Sequence, residues 1–244
     1  MPLQPKRILV VFDFDWSFVD QDTDRWVFEV NALHLRRKME DMEKSVQWTD
    51  LVAMMLREGH AEGITRDQVE GALKILPVHP AMIRAVTRLK ASEDQNATFF
   101  CLSNANQVFI DTILKDKKLD DLFYKITTNP AEWREDGLLV VRRRVDPTGP
   151  QHTCTVGCSP NMCKGEELTA FLVEHGEYDK VVYIGDGSND FCPVVRLREQ
   201  DTVFARTARG LQRRIEREGA QAGLKCKVVY WEGAWEIEEA FATL

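Results

Sequence analysis

The feature that most restricts this chain is a hexapeptide, Arg7 to Phe12 (RILVVF), apolar and β-branched almost throughout, that stops abruptly at Asp13. A strand with one face in water alternates apolar with polar residues; a run without alternation must be covered on both faces, as in the middle of a parallel sheet. Runs of the same kind recur at Ala97 to Leu102, Lys180 to Ile184, Thr202 to Ala205 and Lys225 to Tyr230. Helix-favouring sequence lies near 80–91, 106–116, 164–175, 190–198, 207–218 and 234–243. This alternation predicts an α/β, doubly wound parallel sheet, whose ligands gather beyond the carboxyl ends of the strands.

One stretch breaks the pattern. Residues 20–76 are amphipathic and helix-favouring with no strand among them, so they read as a small helical cap inserted after the first strand. The division expected is therefore 1–19 with 77–244 as the α/β core and 20–76 as the cap. A second irregular region spans 125–163, where Gly137 to Val141 is expected to pair with Lys125 to Thr128 as a hairpin and Pro147, Gly149 and Pro150 mark loops.

Composition removes several function classes. With 39 acidic against 32 basic residues the net charge is −7, which argues against nucleic acid and against an anionic membrane surface as partners. The basic run Arg142–Arg144 and the Arg206 to Arg217 helix, interleaved with Glu216, read as solvated faces. No apolar run approaches the ~18 residues of a membrane span. Six cysteines in 244 residues are too few for a disulfide scaffold, so the expectation is a soluble cytoplasmic chain with reduced thiols. His152, Cys154, Cys158 and Cys163 invite a zinc reading, but no CxxC pair is present and packing thiols are preferred.

The residues with chemical potential sit where strands end. Asp13 and Asp15 follow the first run; in extended backbone, i and i+2 point to one side, so both carboxylates would enter one pocket as nucleophile and general acid. A plain turn or helix cap is the alternative. Asp186 and Asp190, in Gly185-Asp186-Gly187-Ser188-Asn189-Asp190 after KVVYI, offer hard oxygen ligands of the kind Mg²⁺ prefers, or a helix cap. Ser103 and Asn104 after ATFFCL form a phosphate cradle or, again, a cap. Lys164 opens a helix, either as a phosphate-binding cation or as a surface lysine.

Taken in order, DFDWS, Ser103, Lys164 and GDGSND resemble the four motifs of the haloacid dehalogenase superfamily of aspartyl-phosphate phosphohydrolases, with a Rossmann-like core. Phe12 to Asp15, Asp20 to Trp26, Cys158 to Lys164 and Gly185 to Pro193 further resemble the phosphoethanolamine/phosphocholine phosphatase and pyridoxal-phosphate phosphatase-like family. That family includes plant relatives acting on thiamine monophosphate or pyrophosphate.

The resemblance implies a Mg²⁺-dependent phosphatase with a small phosphomonoester substrate. In it Asp13 is the nucleophile and Asp15 the acid. Ser103, Asn104 and Lys164 bind the phosphoryl oxygens. The Asp13 carboxylate, the Asp15 carbonyl and Asp186 hold the metal, and Asp190 binds it through water or orients Lys164. Two departures from the pattern stand out: Trp16-Ser17 replace a polar residue and Thr, and Asn104 stands where choline-type members carry Asp. The second departure implies that phosphocholine is a poor substrate. Asp22, Asp24 and Trp26 are the cap residues expected near the leaving group, or alternatively helix caps and core of the cap itself. A catalytically silent phosphate-binding module is the rival outcome; a dinucleotide oxidoreductase is disfavoured because no GxGxxG follows any strand.

Overall fold

Strand β1 (Arg7–Phe12) forms the centre of a six-stranded sheet in a computed structural model that describes residues 6–92 and 96–244. Four helices follow it: α1 (Thr23–Asn31), α2 (Leu33–Met42), α3 (Trp48–Ala61) and α4 (Arg66–Lys74). The chain then runs through α5 (Pro80–Lys90), β2 (Asn96–Asn106), α6 (Gln107–Asp116), β3 (Lys125–Asn129), β4 (Ala131–Trp133) and β5 (Leu139–Val141). It ends with α7 (Lys164–His175), β6 (Lys180–Gly185), α8 (Phe191–Val194), β7 (Thr202–Arg206), α9 (Gly210–Glu218), β8 (Lys227–Trp231) and α10 (Ala234–Phe241).

The strand order is β3-β2-β1-β6-β7-β8 and every neighbour is parallel, which is the expected doubly wound α/β sheet. The order reverses direction at β1, so the crevice at the carboxyl ends opens between β2 and β6. Pleating sends Ile8, Val10 and Phe12 to a core shared with α1–α6 and α10, and Leu9 and Val11 to a core shared with α7–α9. Both faces of β1 are buried, which is why its sequence shows no alternation. Burying each such side chain contributes about 1.5–3 kcal/mol.

Helices α1–α4 leave the sheet after β1 and return before α5, and the two connecting segments are tied where they pass, the Asp20 N–H donating to the Pro77 carbonyl at 3.0 Å. Local signals start these helices. Asp22 caps α1 by accepting from the Arg25 N–H, and Thr65 and Gln68 form a reciprocal capping box on α4. No helix among the described residues is long and apolar enough to cross a membrane.

The expected hairpin is corrected. Lys125–Asn129 joins the main sheet as its parallel edge strand, and Leu139–Val141 pairs instead with Ala131–Trp133 in a separate two-stranded ribbon. Pro130, which has no N–H to give a ladder, separates the two strands, and Gly137 takes the positive φ (+86°) of the turn. The ribbon packs on the helices: the Arg66 guanidinium stands 5.1 Å from the Trp133 ring centroid, and His60 Nε2 lies 3.0 Å from the Asp136 carbonyl oxygen. The helix expected over 190–198 is only the short α8, preceded by a 3₁₀ turn at Ser188–Asp190.

Candidate active site

Asp13 leaves β1 in extended conformation, with its N–H donated to the Ile184 carbonyl at 2.9 Å and its Oδ1 accepting from the Phe14 N–H at 2.7 Å. The chain then kinks: Asp15 stays extended while Trp16 adopts a left-handed conformation (φ +56°). That conformation costs roughly 1–2 kcal/mol outside glycine. Three contacts offset it: the Trp16 N–H donates to the Gln21 carbonyl, Arg206 Nη1 donates to the Trp16 carbonyl at 2.7 Å, and the Arg209 guanidinium covers the indole at 3.6 Å. The kink brings Asp15 Oδ1 to the Thr23 N–H at 3.1 Å, at the foot of α1.

Lys164, the first residue of α7, is 1% exposed and lies between two carboxylates, 2.8 Å from Asp13 Oδ2 and 2.8 Å from Asp190 Oδ1. The same Asp190 oxygen accepts from the Tyr183 hydroxyl at 2.7 Å, and Asp190 Oδ2 accepts from the Asp186 and Gly187 N–H groups. Asp13, Asp186 and Asp190 each bring a carboxylate oxygen within 4.8 Å of the others.

Burial, then Asp190, pushes the Asp13 carboxyl up to about 7 despite Lys164. Burial, then Asp13 and Asp190, takes Asp186 to about 8. Burial works against the Lys164 ammonium, yet the two aspartates outweigh it and hold its pKa above the ordinary lysine value. Burial, followed by Asp22, Asp24 and Asp13, raises the Asp15 carboxyl well above the usual range. Three carboxylates facing one ammonium form an anionic, all-oxygen pocket, and these residues fit a hard divalent cation such as Mg²⁺.

Ser103 is fully buried in β2, which runs on to Asn106 rather than ending at Leu102, and its Oγ accepts from the Ala105 N–H at 3.2 Å. Asn104 Oδ1 accepts from Asn189 Nδ2 at 3.0 Å. These two asparagines border a cavity of about 630 Å³ that continues past Trp48 and Thr49 to Cys158 and Met162. No member of the Asp13, Asp186 and Asp190 group lines it, so the cavity lies beside the carboxylates rather than over them.

Asp22 and Asp24 come close enough to Asp15 to raise its pKa, but both have other work: Asp22 caps α1 and Asp24 accepts from Trp48 Nε1 at 2.8 Å. Trp26 is not brought to the strand ends; its indole N–H donates to the Ala72 carbonyl at 2.8 Å and its ring packs inside the helical layer. Residues not foreseen are Asn129, whose Nδ2 holds the Asn104 carbonyl at 2.7 Å, and Tyr183. A tyrosine inside a buried apolar strand needs a partner for its hydroxyl, and that was the available signal.

A family model described as Putative Phosphatase matches residues 8–244. Inorganic pyrophosphatase 2 of Arabidopsis thaliana is 34% identical over 203 residues, 82% of this chain and 71% of that protein. Pyridoxal phosphate phosphatase PHOSPHO2 of Bos taurus is 31% identical over 239 residues, 95% of each chain. Among solved structures, the HAD family hydrolase t0658 from Salmonella enterica serovar Typhi superposes with a TM-score of 0.63 at 13% identity, covering 96% of this chain and 71% of that one.

Proposed function

The chain belongs to the Putative Phosphatase family and is a phosphoric monoester hydrolase of the haloacid dehalogenase type, and we propose that it is a Mg²⁺-dependent phosphatase working through an aspartyl-phosphate on Asp13. The observation that carries this reading is the buried Lys164, held 2.8 Å from both Asp13 and Asp190 beside Asp186. An anionic nucleophile meets an anionic phosphate only where cations offset their repulsion. Lys164 supplies one such charge; Asp13, Asp186 and the Asp15 carbonyl are the groups that would hold Mg²⁺, which would supply the other.

An Asp13 carboxylate oxygen attacks phosphorus as the ester P–O bond breaks, and Asp15 gives its proton to the departing alkoxide. Water then attacks phosphorus, the Asp13–phosphoryl bond breaks, and the water's proton passes to Asp15 as inorganic phosphate forms. The raised pKa of Asp15 supports the first role, because burial and the neighbouring aspartates Asp22, Asp24 and Asp13 favour the protonated carboxyl. Ser103 and the backbone at Asn104 cradle the transferred oxygens. Helices α1–α4 act as a cap that limits water around the leaving group.

Pyridoxal phosphate is the first substrate to test, with phosphoethanolamine next, because the Bos taurus relative carries the former in its name and Asn104 lacks the charge of choline-type members. The 34% identity to a pyrophosphatase adds pyrophosphate to the panel. The reduced cysteines fit a cytoplasmic setting. The test is phosphate release from these compounds, phosphocholine and thiamine monophosphate, with Mg²⁺ present and absent. Highest kcat/KM on a small monoester, lost without Mg²⁺, supports the reading; no turnover of any compound would leave a silent phosphate-binding module.

A further inference from the structure

The chain between β5 and α7 is the largest part of the molecule without regular structure: residues 142–163 contain neither helix nor strand, and none of residues 142–160 is buried. A segment of that length in a packed domain needs something other than an apolar core to hold it. At its end stand Cys154, Cys158 and Cys163, and the fold brings up Cys192 from α8 as a fourth. The four Sγ atoms all lie within 4.8 Å of one another, with Cys154 at 3.6 Å from Cys158, and Cys192 at 3.4 Å from Cys154 and 3.5 Å from Cys163. His152, grouped with the cysteines on sequence spacing, is outside the cluster and bonds the Ser159 carbonyl instead.

We propose that Cys154, Cys158, Cys163 and Cys192 bind one zinc ion as a tetrathiolate structural site. Zn–S bonds of about 2.3 Å at tetrahedral angles set S···S edges of about 3.8 Å, close to the separations already present. Four soft sulfur ligands select zinc over the hard cation suited to the carboxylate pocket. On binding, each S–H bond is replaced by an S–Zn bond, and the four protons go to solvent. The resulting complex carries a double negative charge, and the Arg196 guanidinium is within electrostatic reach of Cys192, Cys163 and Cys154 to offset part of it. The Val156 N–H already donates to Cys154 Sγ at 3.3 Å, the backbone-to-thiolate bond that such sites use to orient a ligand. Gly165 keeps α7 tight against the cluster, since a Cβ there would stand 2.4 Å from Cys192 Sγ.

The site has a consequence for the carboxylate pocket. Cys163 directly precedes Lys164, and Cys192 lies two residues after Asp190, so one ion fastens both sides of the Lys164–Asp190 pair. Chain entropy alone would otherwise loosen the loop that leads into Lys164.

The test uses full-length protein purified in reducing buffer. Elemental analysis should find one zinc per chain that survives an EDTA wash sufficient to strip Mg²⁺, and denaturation with a strong chelator should release six titratable thiols. Protein reconstituted with Co²⁺ should show the intense thiolate-to-metal and d–d bands of a tetrahedral sulfur site. Those bands should persist in Asp186→Ala and fall in Cys192→Ser, together with a loss of zinc affinity of about tenfold or more. If Cys192→Ser does not fold, the wild-type stoichiometry and cobalt spectrum decide. Only trace metal, stoichiometric iron, four titratable thiols in place of six, or zinc undiminished in a folded Cys192→Ser would each overturn the site.

Discussion

Asn189 donates its side-chain amide to Asn104 Oδ1 at 3.0 Å, joining the loop after β6 to the end of β2 across the carboxyl end of β1. Both residues also border the cavity that extends toward Trp48 and Cys158. An aspartate at 104 would keep an oxygen for the Asn189 amide and add one negative charge to the cavity wall. The position therefore separates charge from shape in substrate choice.

Wild-type protein should turn over pyridoxal phosphate with a higher kcat/KM than phosphocholine. Asn104→Asp should move that ratio toward phosphocholine by about tenfold, or 1.4 kcal/mol of transition-state discrimination. Steady-state kinetics on both esters measure it. An unchanged ratio assigns the choice to the helical layer.

Replacing Asp13 with Asn removes the proposed nucleophile while leaving Lys164 its bond to Asp190. Turnover should vanish on every ester, and the thermal midpoint should stay within a few degrees of wild type. Phosphate release and a melting curve on the same sample check both halves. Measurable turnover at wild-type KM would remove Asp13 from the nucleophile role.

Asp15→Asn should depend on the leaving group. Loss of a general acid costs about 10²–10⁴-fold where an alkoxide must be protonated, and far less for p-nitrophenolate, which departs without help. Equal losses on phosphoethanolamine and p-nitrophenyl phosphate would contradict the acid role.

Lys164→Met leaves the buried Asp13 and Asp190 carboxylates facing each other without the ammonium. Breaking a buried pair from one side costs about 3–5 kcal/mol. Urea unfolding should show a loss of that size, and Mg²⁺ should recover part of it by taking over the missing charge. A stability equal to wild type in the absence of metal would mean that the ammonium is not what balances these carboxylates.

Chelation should abolish phosphate release and Mg²⁺ should restore it. Asp186→Ala should raise the Mg²⁺ concentration needed for half-maximal activity or eliminate activity altogether. Ca²⁺ should inhibit, since its bonds of about 2.3–2.6 Å, against about 2.0–2.1 Å for Mg²⁺, displace the nucleophile. Full activity after exhaustive chelation would remove the metal from the reaction.

The strands that place the chemistry were legible because parallel strands buried on both faces carry unbroken apolar runs; Asp13 and Asp186 directly follow β1 and β6, and Ser103 follows the apolar run ATFFCL within β2. Lys164 was legible by motif, whereas its position between Asp13 and Asp190 arises only when α7 packs against β2 and α8. The β4–β5 ribbon was misread because Lys125–Asn129 and Ala131–Trp133 are both short and β-prone; which of them pairs with Leu139–Val141 is settled by Pro130 and by packing on α3, neither of which periodicity reports. Cys192 escaped notice for a related reason. It lies 29 residues from Cys163, and a ligand set assembled from separate elements has no spacing rule.

The bond between the Asp20 N–H and the Pro77 carbonyl means that helices α1–α4 begin and end at one place. A segment whose ends already meet is a cassette. Changes of length within it are tolerated by the chain, because the entropic cost of closing a loop grows only with the logarithm of its length. The segment is attached elsewhere too, to the β4–β5 ribbon through contacts such as Arg66 on Trp133 and to α6 through α4. On the proposed reading, in which this layer faces the leaving group, substrate choice can change within the segment while the carboxylate pocket beyond β1 and β6 stays as built.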